Sequence, residues 1–163
     1  MENLKKIFEL LKKAYPDTKT ALQFNTPFQL LIATVLSAQT TDTQVNKITK
    51  DLFKKFPGPK EFADAKIQDI EKSISSINFY KTKAANIKKL SEKIEKDFNG
   101  KVPDSMDKLI TLPGVARKTA NVVLSQAFGK NQGIVVDTHV KRVSNRLGLT
   151  KNTDPDKIEK DLM

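Results

Sequence analysis

The stretch LPGVARKTANVVL, residues 112–124, places a Pro-Gly turn between two segments with helical periodicity. The first helix is predicted to end near Leu109, and the second to run from about Val115 to Ala127. Small side chains on one face of the second helix allow a neighbouring helix to approach closely: Ala116, Ala120, Val123 and Ala127. Two helices joined by an apolar–Pro–Gly–apolar turn are the pattern of a helix-hairpin-helix. The alternative is a plain αα-corner that uses Pro-Gly only as a turn.

The start of the second helix suits an anion. Its first N–H groups have no partner within the helix, and the helix dipole is positive at that end. We therefore predict that the turn binds phosphate regardless of base sequence, through Pro113, Gly114, Val115 and Ala116. In similar hairpins backbone carbonyls also hold a monovalent cation that bridges to phosphate. The candidate carbonyls here are those of Ile110, Leu112 and Val115.

Lys118 follows Arg117 in the first turn of this helix, where the helix dipole opposes a positive charge. Such a position is poor for an ammonium group and good for a neutral amine, which is the form that acts as a nucleophile. A surface lysine or a phosphate-binding lysine is the alternative that position alone leaves open.

Composition points to a polyanionic partner. The 163 residues carry 29 Lys and Arg against 19 Asp and Glu, a formal net charge of +10. A basic surface of this kind is typical of proteins that bind nucleic acid. The alternative is a lysine-rich surface that is merely solvated. The length corresponds to one domain, or to one domain and part of a second.

Composition also argues against several kinds of site. The chain has no cysteine and a single histidine, so it offers no thiolate for zinc or for a cluster, and a His-based metal site is not expected. No apolar run reaches the roughly 18 residues of a membrane span. Residues 1–13, MENLKKIFELLKK, are interrupted by charge at every turn and are predicted to be an amphipathic helix, not a signal peptide. The expected location is the cytoplasm, in association with the nucleoid.

Helical periodicity extends through nearly the whole chain, and the predicted fold is all-α with about eight or nine short helices. Residues 26–29, Thr-Pro-Phe-Gln, have the order of an N-cap, a first-turn proline and a capping-box glutamine. Thr41 with Gln44 repeats the box, and Asp154-Pro155 predicts the start of a last helix. The strand-like run at residues 134–136 is too short to build a sheet.

Four stretches resemble the endonuclease III family of DNA glycosylases, in the family's order and spacing. They are LPGVARKTANVVL (112–124), VDTHVKRVSNRLG (136–148), LLIATVLSAQTTDTQVNK (30–47) and INFYKTKA (77–84). The likeness runs from about residue 4 to the end of the sequence. It implies the helix-hairpin-helix DNA glycosylase fold, with a six-helix bundle domain at residues 20–133. Residues 1–19 and 134–163 would then form a partial second domain.

The resemblance implies base-excision repair. Members of the family remove oxidised pyrimidines from duplex DNA and nick the strand at the abasic site by β-elimination. The lysine that matches Lys118 attacks the sugar C1′ and forms a Schiff base. The residue that matches Asp137 is the catalytic carboxylate; as a bare sequence feature it is an N-cap aspartate. Because a carboxylate satisfied by helix N–H groups is a poor base, we favour electrostatic stabilisation of the cationic sugar as its role.

A glycosylase must flip its target base out of the duplex, and protein side chains fill the space that is left. By resemblance Gln39 fills it, and Phe79, at a position usually occupied by leucine, is a wedge on the opposite strand. The alternatives are an ordinary loop glutamine and a core phenylalanine. The candidate phosphate contacts, each with a solvated surface cation as the alternative, are Lys81, Lys83, Arg117, Lys141 and Arg142.

The sequence also departs from the family pattern. Ala116 and Asn78 stand where glycine is expected, and the methyl of Ala116 is expected to weaken phosphate binding modestly. Most relatives continue for several dozen residues to a four-cysteine loop that holds a [4Fe–4S] cluster, whereas this sequence has no cysteine. We therefore interpret the chain as truncated before the cluster region. Leu147, Ile158 and Leu162 are then expected to lose packing partners.

The enzyme is expected to act as a monomer on damaged double-stranded DNA, with no membrane involvement. Two other functions stay open. A mismatch-specific or monofunctional glycosylase typically lacks the lysine, so Lys118 argues against it. A non-catalytic helix-hairpin-helix DNA-binding remnant is compatible with retention of both Lys118 and Asp137.

Overall fold

The structure, a computed structural model, describes residues 2–16 and 18–163, with side chains from residue 5 onward. Within these ranges all of the regular secondary structure is helical, which confirms the predicted all-α class. The ten helices of the described part are α1 (Glu2–Ala14), α2 (Pro27–Ser37), α3 (Asp42–Lys55), α4 (Pro59–Asp64), α5 (Ile67–Ser73), α6 (Tyr80–Phe98), α7 (Met106–Leu109), α8 (Arg117–Phe128), α9 (Thr138–Arg146) and α10 (Pro155–Leu162).

The number of helices exceeds the prediction because α4 and α7 have only six and four residues. Segments of this length complete too few turns to show a helical period in the sequence. Residues 134–136 form no strand. Residues 1 and 17, which belong to the predicted segment 1–19, lie outside the described part of the chain.

Helix starts follow the local sequence. Thr26 Oγ1 accepts a hydrogen bond from Gln29 N at 3.2 Å, and Pro27 occupies the first position of α2. Gln29 Oε1 accepts from Asn25 N at 2.9 Å, so it satisfies a neighbouring N–H group rather than that of the cap residue. At α10, Asp154 Oδ1 accepts from two first-turn N–H groups, as its position before a proline predicts.

Helix α2 lies at the centre of the molecule, where α3, α6 and α8 contact it. Its apolar side chains point in all directions and are fully buried: Leu30, Leu31, Ile32 and Leu36. Each such side chain contributes about 1.5–3 kcal/mol through removal of apolar surface from water. On the far side, Phe62 of α4 packs against Phe56 and Phe28, with ring centroids 4.9 and 5.7 Å apart. This core holds α8 and the hairpin before it in a fixed position.

Packing at α10 differs from the expectation. Ile158 is fully buried, so the prediction that it loses its packing partners is wrong. The reason is the next residue, Glu159, whose hydrogen bonds hold α10 against α8. Leu162 is half-buried, and Leu147, at the end of α9, remains 39% exposed.

Helix α1 is amphipathic, as predicted for residues 1–13, and several of its apolar side chains reach solvent. Phe8 and Leu10 are 55% and 59% exposed. No helix in the described ranges is both long and apolar enough to cross a membrane.

Candidate active site and nucleic-acid interface

The hairpin joins α7 to α8 through residues 110–116. Leu112 and Val115 are buried and anchor the turn, and Val115 N donates to Leu112 O at 3.1 Å. Gly114 has a φ of 77°, in the left-handed region that glycine tolerates best. A Cβ at this position would also lie 3.0 Å from the side chain of Asn86. The turn therefore requires glycine for both conformation and space.

Helix α8 starts with its N–H groups uncapped. Ala116 is the N-cap residue, and no side chain of the described residues accepts from the first turn. Ala116, Arg117 and Lys118 are all exposed. The first N–H groups of a helix have no partner within it, so this end presents donors and a positive dipole to the surface.

Lys118 is the second residue of α8, and Arg117 is the first. The Arg117 guanidinium binds Glu159 through two bonds, Nε to Oε2 at 2.8 Å and Nη2 to Oε1 at 3.3 Å. Hydrogen bonding and charge from Glu159 raise the pKa of Arg117. With its side chain 49% exposed and two of its five N–H donors engaged, Arg117 is only partly available for the phosphate contact predicted for it.

Glu159 was not identified from the sequence. It is buried on α10, and besides Arg117 its Oε1 accepts from Asn121 Nδ2 at 2.9 Å and from Ile134 N at 3.2 Å. Burial raises the pKa of Glu159, but hydrogen bonds from Arg117 and Asn121 and the charge of Arg117 outweigh that effect, so its pKa lies below the ordinary value. We call these four residues the Glu159 junction. It joins α8, α10 and the loop that leads to Asp137.

Gly133 makes room for the Glu159 junction. A Cβ built at this position would lie 1.9 Å from Glu159 Oε1 and 2.8 Å from the amide of Asn121. No side chain fits there while the carboxylate keeps its place. The sequence held no signal for the junction, because α10 carries charged residues of both signs and only the tertiary contact shows which of them is buried.

Asp137 is the N-cap residue of α9 and is half-buried. Its Oδ1 accepts from His139 N at 2.9 Å and from Val140 N at 2.8 Å. Within the described part of the chain, Oδ2 accepts no hydrogen bond. One oxygen is therefore engaged by the helix, while the other remains open to a cationic group.

Gln39 and Phe79 lie in two turns with the same uncommon backbone conformation. Their φ angles are 57° and 58°, although neither residue is glycine. Phe79 is 65% exposed, so the alternative of a core phenylalanine is wrong. Asn78 Nδ2 donates to Gln39 O at 2.7 Å, which links the two turns directly.

Lys83 is not placed as a phosphate contact. It is only 7% exposed, and its Nζ donates to Leu36 O at 2.8 Å and to Ala38 O at 2.6 Å. Burial lowers the pKa of this amine. An ammonium group enclosed by protein carbonyls cannot reach a phosphate, so the structure corrects this expectation.

The remaining predicted phosphate contacts lie at the surface. Lys81 is exposed in the first turn of α6. Lys141 and Arg142 line a groove along α9, together with Arg146. These positions are compatible with the expected role.

No group of three or more His, Asp or Glu side chains within residues 2–16 and 18–163 is arranged to hold a metal ion. The sequence contains no cysteine, so these residues do not fit a thiolate-ligated iron–sulfur cluster.

Comparison with known proteins identifies relatives over nearly the whole chain. The family described as HhH-GPD superfamily base excision DNA repair protein matches residues 32–163. Endonuclease III of Synechocystis sp. is 55% identical over 157 residues, covering 96% of this chain and 72% of that protein. Endonuclease III of Bacillus subtilis is 46% identical over 167 residues, covering 100% of this chain and 76% of that protein.

Comparison with solved structures points to the same family. A trapped covalent intermediate of an endonuclease III with DNA superposes with a TM-score of 0.93 at 45% identity, covering 99% of this chain and 76% of that one. A thermostable thymine-DNA glycosylase is more distant, with a TM-score of 0.80 at 26% identity, covering 88% and 67%. With this extent of sequence identity and the hairpin geometry described above, the chain belongs to the endonuclease III family within the HhH-GPD superfamily of base excision DNA repair proteins.

Proposed function

We propose that the chain is a base-excision repair DNA glycosylase with abasic-site lyase activity on oxidised pyrimidines in duplex DNA. The observation that carries the proposal is Lys118, exposed in the uncapped first turn of α8, directly after the hairpin. A relative with the same fold has been trapped in a covalent complex with DNA. A lysine nucleophile beside a phosphate-binding turn would explain how such a protein binds DNA and forms a covalent bond with it.

In the proposed reaction the Lys118 amine attacks C1′ of the flipped nucleotide, and the glycosidic bond breaks with its electron pair leaving on the base. The nitrogen then passes a proton to the departing base, and its lone pair opens the sugar ring, whose oxygen O4′ takes a proton from water, to give a protonated Schiff base. Removal of a C2′ proton then expels the 3′ phosphate by β-elimination, which nicks the strand. Water hydrolyses the remaining imine and regenerates the amine.

Asp137 is proposed to stabilise the positive charge that develops on the sugar as the base departs. Its Oδ1 accepts hydrogen bonds from two N–H groups of α9, which fix the carboxylate at the start of the helix. A negative charge held in a fixed position suits electrostatic stabilisation, which we favour over general-base catalysis.

DNA binding is proposed to use the backbone of residues 113–116. The carbonyls of Ile110, Leu112 and Val115 would bind a monovalent cation that bridges to phosphate. Lys81, Lys141 and Arg142 would add phosphate contacts, and Arg117 a partial one. Gln39 and Phe79 would enter the duplex after base flipping. Their exposed positions in two adjacent turns support this assignment.

The wider setting is also a proposal. We infer a bundle domain at residues 20–133, a second unit from residues 1–19 and 134–163, a monomeric state and a cytoplasmic location at the nucleoid. No step above passes through an iron–sulfur cluster. The rival is a non-catalytic DNA-binding remnant, which would bind DNA through the same hairpin but form no covalent bond.

The decisive experiment is borohydride trapping on a duplex with one abasic site. The wild-type chain is expected to give a covalent adduct, because borohydride reduces the Schiff base irreversibly, and Lys118→Gln is expected to give none while retaining DNA binding. Lys66→Gln, at an exposed lysine just before α5, is the matched control and should trap normally. A folded, DNA-binding wild-type chain without any adduct would favour the remnant.

A further inference from the structure

Two non-glycine residues with left-handed backbones present exposed side chains next to each other. Residues other than glycine adopt this conformation rarely, at a cost of roughly 1–2 kcal/mol. It therefore persists only where surrounding contacts enforce it. Gln39 and Phe79 both have it, in separate turns that are 40 positions apart in sequence.

The contacts that enforce the Gln39 turn come from a single segment, residues 76–83. Asn78 Nδ2 donates to the carbonyl of Gln39 itself at 2.7 Å. Lys83 Nζ donates to the carbonyls of Leu36 and Ala38 immediately before it. Ser76 Oγ accepts from the side chain of Gln44, just after the turn, at 3.3 Å. The segment that carries Phe79 thus holds the Gln39 turn at its start and at Gln39 itself, and it also contacts the first turn of α3.

The bonds from Lys83 and Asn78 differ in what they can control. The Lys83 bonds are buried and fix the end of α2, a role in the fold itself. The Asn78 bond is exposed and reaches the one carbonyl that belongs to the left-handed residue. An amide at position 78 therefore sets the orientation of the Gln39 peptide relative to Phe79, whereas a glycine at that position has no side-chain donor.

We propose that Asn78 is a positioning residue that couples the Gln39 and Phe79 turns, so that both side chains enter the duplex as one preorganised unit. The inference rests on the proposed function, since it assigns these side chains to the opened duplex. Preorganisation means that the ordering cost is met on folding, before DNA binds, so the coupling tightens binding to opened DNA.

The test measures binding to a duplex with a tetrahydrofuran abasic-site analogue, which has no C1′ leaving group and cannot react with Lys118. Asn78→Ala is expected to weaken this binding about fivefold, the worth of one hydrogen bond. Binding to an intact duplex should stay unchanged, and the free energy of unfolding should fall by no more than about 1 kcal/mol. Ser75→Ala, which removes only a local bond to Lys72 O just before this segment, is the matched control and should bind like wild type.

A double-mutant cycle with Gln39→Ala separates positioning from a direct contact. Once the Gln39 side chain is gone, adding Asn78→Ala should cost little more, because there is no side chain left to orient. Equal losses in both backgrounds, or unchanged binding by Asn78→Ala, would overturn the coupling. So would a wild-type chain that does not prefer the analogue duplex over intact duplex.

The coupling between Asn78 and Gln39 can be tested separately from the lyase reaction. A wild-type chain that shows the coupling but gives no borohydride adduct would contradict the proposed lyase and leave the positioning role intact. A chain that gives the adduct with additive effects in the cycle would contradict the coupling alone.

Discussion

At the scale of single residues, Glu159 shows how a buried charge is kept in the ionised form. Its carboxylate receives a guanidinium, a side-chain amide and a backbone N–H, which together replace the water it has lost. Gly133 leaves open the space that this carboxylate occupies, since any Cβ there would displace the carboxylate. The Glu159 junction thereby fixes the segment before Asp137 relative to the first turn of α8.

The lowered pKa of Glu159 gives a pH-dependent prediction. A carboxyl whose pKa is depressed by folding stabilises the native state above its unfolded pKa, and this contribution is lost as the pH falls through the lower, folded value. Glu159→Gln keeps an acceptor for Asn121 and Ile134 but places an amide against Arg117. We expect it to lower the free energy of unfolding by about 1–3 kcal/mol at pH 7.

The difference between wild type and Glu159→Gln should shrink in acid, below about pH 4, and urea unfolding at several pH values measures it. Glu92→Gln is the matched control, because Glu92 is half exposed in a pair with Lys88 and should contribute less than about 0.5 kcal/mol. A constant difference across the whole pH range would mean that the substitution disturbs packing and not charge.

At the scale of elements, Asp137 combines two roles that substitution can separate. Asp137→Asn retains an oxygen that accepts from the first turn of α9, whereas Asp137→Ala removes the cap. The alanine variant should lose about 0.5–2 kcal/mol of stability, and the asparagine variant much less. Both should release the base more slowly, because the negative charge is gone.

Thermal unfolding and single-turnover base release on an oxidised-pyrimidine duplex measure the two roles of Asp137 side by side. Thr26→Ala, at the cap of α2, is the control for a cap without chemistry and should leave base release unchanged. Wild-type base release by the folded Asp137→Asn variant would reduce Asp137 to a helix cap.

Helix boundaries show which parts of the fold the sequence can predict. The caps at Thr26, Thr41 and Asp154 are local, since the acceptor and its N–H donor lie within three residues, and all three were predicted correctly. The burial of Ile158 was predicted wrongly because α10 is held in place by the contact between Glu159 and Arg117, two residues that are 42 positions apart in the sequence. Lys83 was misplaced for the same reason, since its carbonyl partners lie on α2.

At the scale of the whole molecule, some parts of the candidate site could be predicted from the local sequence and others could not. Lys118 and Asp137 could be placed at helix starts from the local sequence, and the resemblance to the endonuclease III family suggested their catalytic roles. The Glu159 junction and the link between Asn78 and Gln39 could not, because each joins segments that only the tertiary fold brings together.

The net charge of +10 predicts strongly salt-dependent DNA binding. Each phosphate neutralised by a cation contributes about −0.9 to the slope of log K against log salt concentration. Replacing Lys141 and Arg142 with glutamine should therefore make the slope less steep by about 1–2, in a titration of duplex binding at several salt concentrations. Lys66→Gln should leave the slope unchanged, and an unaltered slope in the double variant would place the DNA elsewhere than α9.

The position of Glu159 in the chain has a consequence for protein synthesis. The residues of the hydrophobic core, 22–124, leave the ribosome before α10, and they contain α2, α3, α6 and most of α8. The hairpin and Lys118 are thus already in place on the nascent polypeptide, while Arg117 and Asn121 still lack their shared carboxylate. Translation must proceed through α10 before the Lys118 and Asp137 segments are joined. A partly synthesised chain that binds DNA would therefore present Lys118 before the Glu159 junction has formed.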